Sequence, residues 1–222
     1  FLLCFQAFSS HRVSPAPKQN PRPPTRRYRN PLAGWSYRSN LILEISHMAH
    51  QLEPTMIEFF HYNHWANQEL MRICINLSDE IITAGIPGTY GSIRDTFTHI
   101  LKAEISFLKR IHGTHPEPEF KWEENPSLSQ MMAYETKLHE TLLDTLQRVP
   151  ATQNVHEEGG GWTFDYQARL IFMSVVYHGI AHRTDITTVL NNKGVSLPEL
   201  DVWGYEYAYP ERFEARIFKS NQ

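Results

Sequence analysis

Nowhere does the 222-residue chain hold a run of about 18 or more apolar residues, so no membrane-spanning helix is expected from it. Cysteine is scarce. Cys4 and Cys74 lie far apart and form no Cys-x-x-Cys pair, which excludes both a disulfide framework and a thiolate zinc knuckle. Any metal must therefore be held by histidine or carboxylate. Internal repeats are lacking, and so is any alternating strand pattern that would compete with the helical periodicity. Charge of one sign does not dominate either: the formal net charge is -3, with 41% hydrophobic and 12% aromatic residues, and this composition excludes disorder of the whole chain. The reading is of a soluble, cytoplasmic protein without membrane contact. Histidine, by contrast, is plentiful: there are twelve. It is the side chain that titrates near neutral pH and most often ligates metals.

The modest net charge conceals two kinds of sequence. Residues 1–47 carry seven Lys or Arg against the single acid Glu44, and six of the fourteen prolines fall between Pro15 and Pro31. With +6 on this segment, residues 48–222 are left at -9. A Pro-rich, basic stretch cannot bury enough apolar surface to order itself, so 1–47 is read as a disordered leader outside the fold. Since Met48-Ala49-His50 leads directly into a helical pattern, the leader is taken as upstream sequence translated in error. A targeting remnant, Arg-rich and acid-poor, is the other reading. A nucleic-acid-binding arm is disfavoured because a domain at -9 repels the phosphate backbone.

Residues 48–222 then read as four amphipathic helices. Pro54 suits a first helical turn, and Met56, Phe59, Phe60, Ala66, Leu70, Ile73 and Leu77 recur at three and four. Ser92 and Asp95 resemble a capping box ahead of Ile93, Phe97, Ile100, Leu101, Leu108 and Ile111, with Gly113 as the stop. Ser127 opens a third helix, Leu128 to Val149, closed by Pro150. Three glycines, 159–161, precede a fourth from about Phe164 to Asn192, ended by Gly194 and Pro198. Two long connections join these elements, and the expected fold is an all-α four-helix bundle. The tail from Leu200 carries Trp203, Tyr205, Tyr207, Tyr209, Phe213 and Phe218, and should pack on the bundle or on a second subunit.

The chemistry is concentrated in Tyr177-His178-Gly179-Ile180-Ala181-His182-Arg183. Histidines four apart stand one turn above each other, so two imidazoles can converge on one ion. Ile171, Val175 and Val189 share their stripe, which turns both rings toward the interior. Alternatively, each ring simply hydrogen-bonds a neighbouring side chain. A third ligand from another helix would decide, and His99 is the natural candidate, placed beside its helix's apolar stripe; His64 and then His61 come after it.

The order Ser92-Ile93-Arg94-Asp95 through His99-Ile100-Leu101-Lys102-Ala103-Glu104, then His178-x-x-x-His182-Arg183, resembles the DinB-like superfamily of DNA-damage-inducible bacterial proteins. Tyr62-x-x-Trp65-Ala66-Asn67 and Pro198-x-x-Asp201-x-x-x-Tyr205 are similar to it as well, so that the resemblance runs from about Glu53 to Ala208. It implies a four-helix bundle whose metal site takes one His from the second helix and two from the last, roles that map onto His99, His178 and His182. It also implies a homodimer. The family commonly has Gly-Gln after His-Arg, whereas this chain has Thr184-Asp185. Asp185 shares the face of both histidines and is a candidate to orient an imidazole or touch the metal; a plain surface carboxylate is the other reading.

Three neutral imidazoles leave coordination positions open, as catalytic sites do, and suit zinc or nickel first, with iron and copper also accommodated. The resemblance implies a thiol-dependent S-transferase in which a bound divalent ion activates a low-molecular-weight thiol against an electrophilic substrate. Tyr62, Trp65, Trp203 and Tyr205 are candidate pocket walls. Two other classes stay open: a di-iron carboxylate bundle, for which Glu58-x-x-His61 supplies one motif within the bundle, and a non-enzymatic metal-binding or dimerising bundle.

Overall fold

The computed structural model describes residues 38–159 and 161–214. Its helices are α1 (Arg38–Cys74), the short α2 (Asp79–Ile82), α3 (Ile93–His112), α4 (Leu128–Arg148), α5 (Arg169–Asn192) and α6 (Val202–Ala208). Two strands, β1 (Asn154–Gly159) and β2 (Trp162–Gln167), lie between α4 and α5. The bundle closes as a ring, because α1 packs on α4 and α5 while α3 packs on the same two. Each long helix contributes its three-and-four stripe to one core: Phe60, Leu70 and Met71 from α1, Phe97, Ile100 and Leu108 from α3, Met131 and Leu138 from α4, and Ile171, Ile186 and Val189 from α5.

The helix boundaries follow the capping chemistry. Ser92 accepts from the Asp95 amide, and Gly113, in the left-handed region at φ 75°, ends α3. Ser127 and Gln130 form a complete capping box at the start of α4. Two boundaries depart from the sequence reading. α1 begins at Arg38, within the segment read as leader, and holds Pro54 in its interior rather than in its first turn. Proline lacks an N–H and crowds the preceding turn, yet Leu41, Leu43, Glu44, Met48 and Ala49 ahead of it are strong helix formers. Residues 1–37 and the end of the tail, with Phe218, lie outside the described residues.

The other departure is the hairpin. The sequence pattern makes the glycine run a separator and Phe164 the start of the last helix, but β1 and β2 pair antiparallel, with Val155 opposite Tyr166 and Glu157 opposite Phe164. The signal was present: Trp162-Thr163-Phe164-Asp165-Tyr166-Gln167 alternates aromatic with polar, and Gly161, at φ 80°, supplies the left-handed turn residue.

A polar layer crosses the core. Arg183 of α5 donates from Nη1 to Asn63 Oδ1 and Asn67 Oδ1 of α1, both at 2.7 Å. Asn63 donates to Glu104 of α3 at 3.0 Å, and Asn67 to Glu135 of α4 at 3.4 Å. Gly179 makes this approach possible: a Cβ there would overlap Asn63 Oδ1 and crowd the Arg183 guanidinium. The layer touches all four helices and fixes the rotation of α5, the helix that carries two of the three candidate ligands.

Candidate metal centre

α3 and α5 are neighbours in the ring, and their facing sides bring His99, His178 and His182 together. One nitrogen from each ring lies within 4.8 Å of the others, and these three form the only such group of His, Cys, Asp or Glu side chains among the described residues. His99 Nε2 and His178 Nε2 are 3.0 Å apart, one ring donating to the other. The ring centroids lie 4.8 Å (99 to 178), 4.6 Å (99 to 182) and 4.4 Å (178 to 182) apart.

Burial first, and then the neighbouring imidazole charges, push His178 down to about 3. The same causes push His99 down to about 4, burial first and then His182. Both rings are therefore neutral at pH 7 and hold a free lone pair, the state a metal ligand needs. Asp185 sits 3.1 Å from His182, Oδ2 against Nδ1. A proton on Nδ1 donates to that carboxylate and leaves Nε2 as the acceptor, the tautomer that a carboxylate–histidine pair imposes at metal sites. The residues fit a divalent ion. Ligand nitrogens about 2.0–2.1 Å from a tetrahedral zinc stand roughly 3.3 Å apart, so the 3.0 Å spacing needs to open by only a few tenths of an ångström.

The aromatic surroundings differ from the sequence reading. Tyr90, on the loop between α2 and α3, stacks on His99 with centroids 4.0 Å apart and meets His182 edge-on at 5.1 Å. Phe107 meets His178 edge-on at 6.1 Å. Neither was singled out as a site residue, and nothing in the spacing of the loop announces Tyr90. The four candidate walls lie elsewhere. Tyr62, Trp65 and Tyr205 make a separate cluster where α6 crosses α1, and Trp203 is exposed. They separate because α6, capped by Asp201, returns to α1 instead of reaching α3.

His64 and His61 also fall outside the triad. His64 stacks on the buried His139 of α4 at 4.1 Å and bonds Glu135 through Nδ1 at 2.7 Å, with His61 edge-on to His139 at 5.3 Å. Glu58, the carboxylate of the di-iron motif, is engaged by Arg212 at 2.9 Å on each oxygen, so its pairing with His61 builds no iron site.

The family model for the DinB family matches residues 48–213. No curated protein matches the chain.

Proposed function

The chain belongs to the DinB family, and from that premise we propose a metal-dependent, thiol-using S-transferase whose divalent ion, zinc or nickel first, is held by His99, His178 and His182. The observation that supports it is the convergence of three imidazoles with no fourth protein ligand among the described residues, a donor set that leaves room for an exogenous ligand. A bound divalent ion would lower the pKa of a thiol or water and supply a nucleophile at neutral pH, where a free thiol of pKa about 8.5 is mostly protonated.

The chain's own residues set the conditions for that chemistry. Burial keeps His99 and His178 unprotonated, so the ligands do not compete for protons at pH 7. Asp185 orients His182. Tyr90 and Phe107 pack against the imidazoles and restrict their ring rotation, and Tyr90, 43% exposed, stands where an incoming molecule would meet the site. A low-molecular-weight thiol and a small electrophile are the partners of this reading, in the cytoplasm, a reducing compartment that also suits the buried free thiol of Cys74. Among the described residues no helix is long and apolar enough to cross a membrane.

The test is a panel of low-molecular-weight thiols against an aromatic halide or an epoxide, with the metal-loaded protein and its His182→Ala variant. Conjugate formation with at least one thiol, lost in the variant, is the expected result. Equal rates for both proteins with every thiol would remove the transferase reading and leave a metal-binding bundle.

A further inference from the structure

Tyr90 touches imidazoles of both helices that carry the triad. It lies face to face with His99 of α3, with 4.0 Å between centroids and 21° between planes, and meets His182 of α5 edge-on at 5.1 Å and 77°. Core packing does not put it there, since it belongs to neither hydrophobic cluster of the bundle. The loop that carries it is tied through its own backbone. The Ile93 amide donates to the Ala84 carbonyl at 3.1 Å, Thr89 donates from Oγ1 to the Ile86 carbonyl at 2.8 Å, and Gly85 lies so close to Gly91 that a Cβ on it would come within 2.7 Å of the Gly91 oxygen. Gly88, at φ 95°, turns the chain between these contacts. With one face against His99, 43% of Tyr90 is still exposed. A ring that a tied loop holds toward solvent beside three histidines is a wall for a ligand and not a piece of the core.

The charged side chains beside the three histidines already have partners. Asp185 is 3.1 Å from His182 Nδ1, and Arg110, whose guanidinium lies 5.8 Å from the Phe107 ring, is paired with Glu157 at 2.7 Å. Arg183 is turned inward to Asn63 and Asn67, and Lys102, one turn after His99, lies over the Trp122 ring at 5.1 Å. A carboxylate or phosphate entering here would have to displace one of these pairings or lose its hydration uncompensated, whereas an uncharged ring gains a second ring to pack on. The geometry points to Tyr90 as the residue that sets specificity: the site takes an uncharged aromatic molecule that packs on its ring, and under the transferase reading, on which this rests, that molecule is the electrophile. With an aryl halide the thiol sulfur bonds to the ring carbon that bears the halogen, the carbon–halogen bond breaks with its electron pair leaving on the halide, and the thiol proton passes to water. Tyr90 makes and breaks no bond in this step. A small aliphatic epoxide gains nothing from it.

The test uses the zinc-loaded full chain with Tyr90→Phe and Tyr90→Leu, and reads binding before turnover. Calorimetric titration with nitrobenzene, uncharged and inert to thiols, should give a Kd that Tyr90→Phe leaves unchanged and Tyr90→Leu raises roughly three- to tenfold, with the same zinc stoichiometry in all three proteins. Benzoate should bind the unaltered protein roughly tenfold more weakly than nitrobenzene, or worse. In turnover, Tyr90→Leu should raise KM for chlorodinitrobenzene by the factor seen in binding and leave KM for the thiol and for a small aliphatic epoxide where they were. Nitrobenzene binding that is absent or equal in Tyr90→Leu, an equal loss in Tyr90→Phe, benzoate bound as tightly as nitrobenzene, loss of zinc from Tyr90→Leu, or an unmoved KM for chlorodinitrobenzene would each overturn the inference. The expected binding pattern without conjugate formation by any thiol would support Tyr90 as the wall of an aromatic-binding site and remove the transferase reading instead.

Discussion

His182 and Asp185, three positions apart, carry a good deal of the site's chemistry. The carboxylate lies 3.1 Å from Nδ1 and favours the tautomer with Nε2 free, so it would act on a bound metal without touching it. Asp185→Asn keeps the shape and removes the charge. It is expected to weaken zinc binding about 10- to 100-fold, measured by competition with a chromophoric chelator, while the helical signal stays the same. Equal affinity in the variant would reduce Asp185 to a surface carboxylate. The His178–His182 pair was legible because helical spacing is a local rule: residues four apart must share a face whatever the rest of the chain does, whereas the role of His99 came from the family resemblance. Tyr90 was not legible, since its place over His99 depends on the path of a loop that returns the Ile93 amide to the Ala84 carbonyl at 3.1 Å. His139 was passed over for another reason: its burial comes from α1 packing on α4, a fact of tertiary structure.

The elements were legible to the extent that their ends carry chemistry. Ser92, Gly113, Ser127 and Gly194 mark helix boundaries that the structure keeps, whereas the hairpin was missed because its aromatic alternation runs directly into the apolar pattern of α5. Where α1 meets α4, three imidazoles sit close together, with Glu58 and Arg212 on the α1 side and Glu135 on α4. Burial, and then the charges of His64, His61 and Arg212, push His139 down to about 3. A histidine whose pKa is depressed by folding contributes stability that is present above its ordinary value near 6.5 and is lost as pH falls toward 3. The contact between α1 and α4 is therefore expected to weaken between pH 6.5 and about 3, by up to about 1.4 kcal/mol per pH unit from this group. Denaturant unfolding of the unaltered chain and of His139→Gln across that range checks it: the variant's stability should fall less steeply with pH. Parallel slopes would mean that His139 does not carry the dependence.

At the scale of the whole molecule, one polar layer ties the four helices into a single arrangement and thereby aims the ligands. Arg183 is buried with Asn63, Asn67, Glu104 and Glu135 around it. Burial and the charge of Glu135 push Glu104 up to about 8, so it is held as the neutral acid at pH 7. The two obvious substitutions should then behave differently. Glu104→Gln replaces a neutral acid with a neutral amide and should cost under about 1 kcal/mol, while Arg183→Met removes the buried cation and leaves Asn63 and Asn67 without their donor, and should cost about 3–5 kcal/mol. Comparable losses in the two denaturant curves would show that Glu104 is ionised. The sequence displayed Arg183 and Asn67 as parts of motifs but not their contact, since the four helices bring together residues more than a hundred positions apart. The same closure holds His99 of α3 against His178 and His182 of α5, and on that rests the central claim of one divalent ion bound between these helices. Calorimetric titration of zinc into the chelator-treated protein and its His178→Ala variant tests it most directly. One ion per chain is expected for the unaltered protein and none at comparable affinity for the variant; stoichiometric binding of equal strength in both would contradict the site.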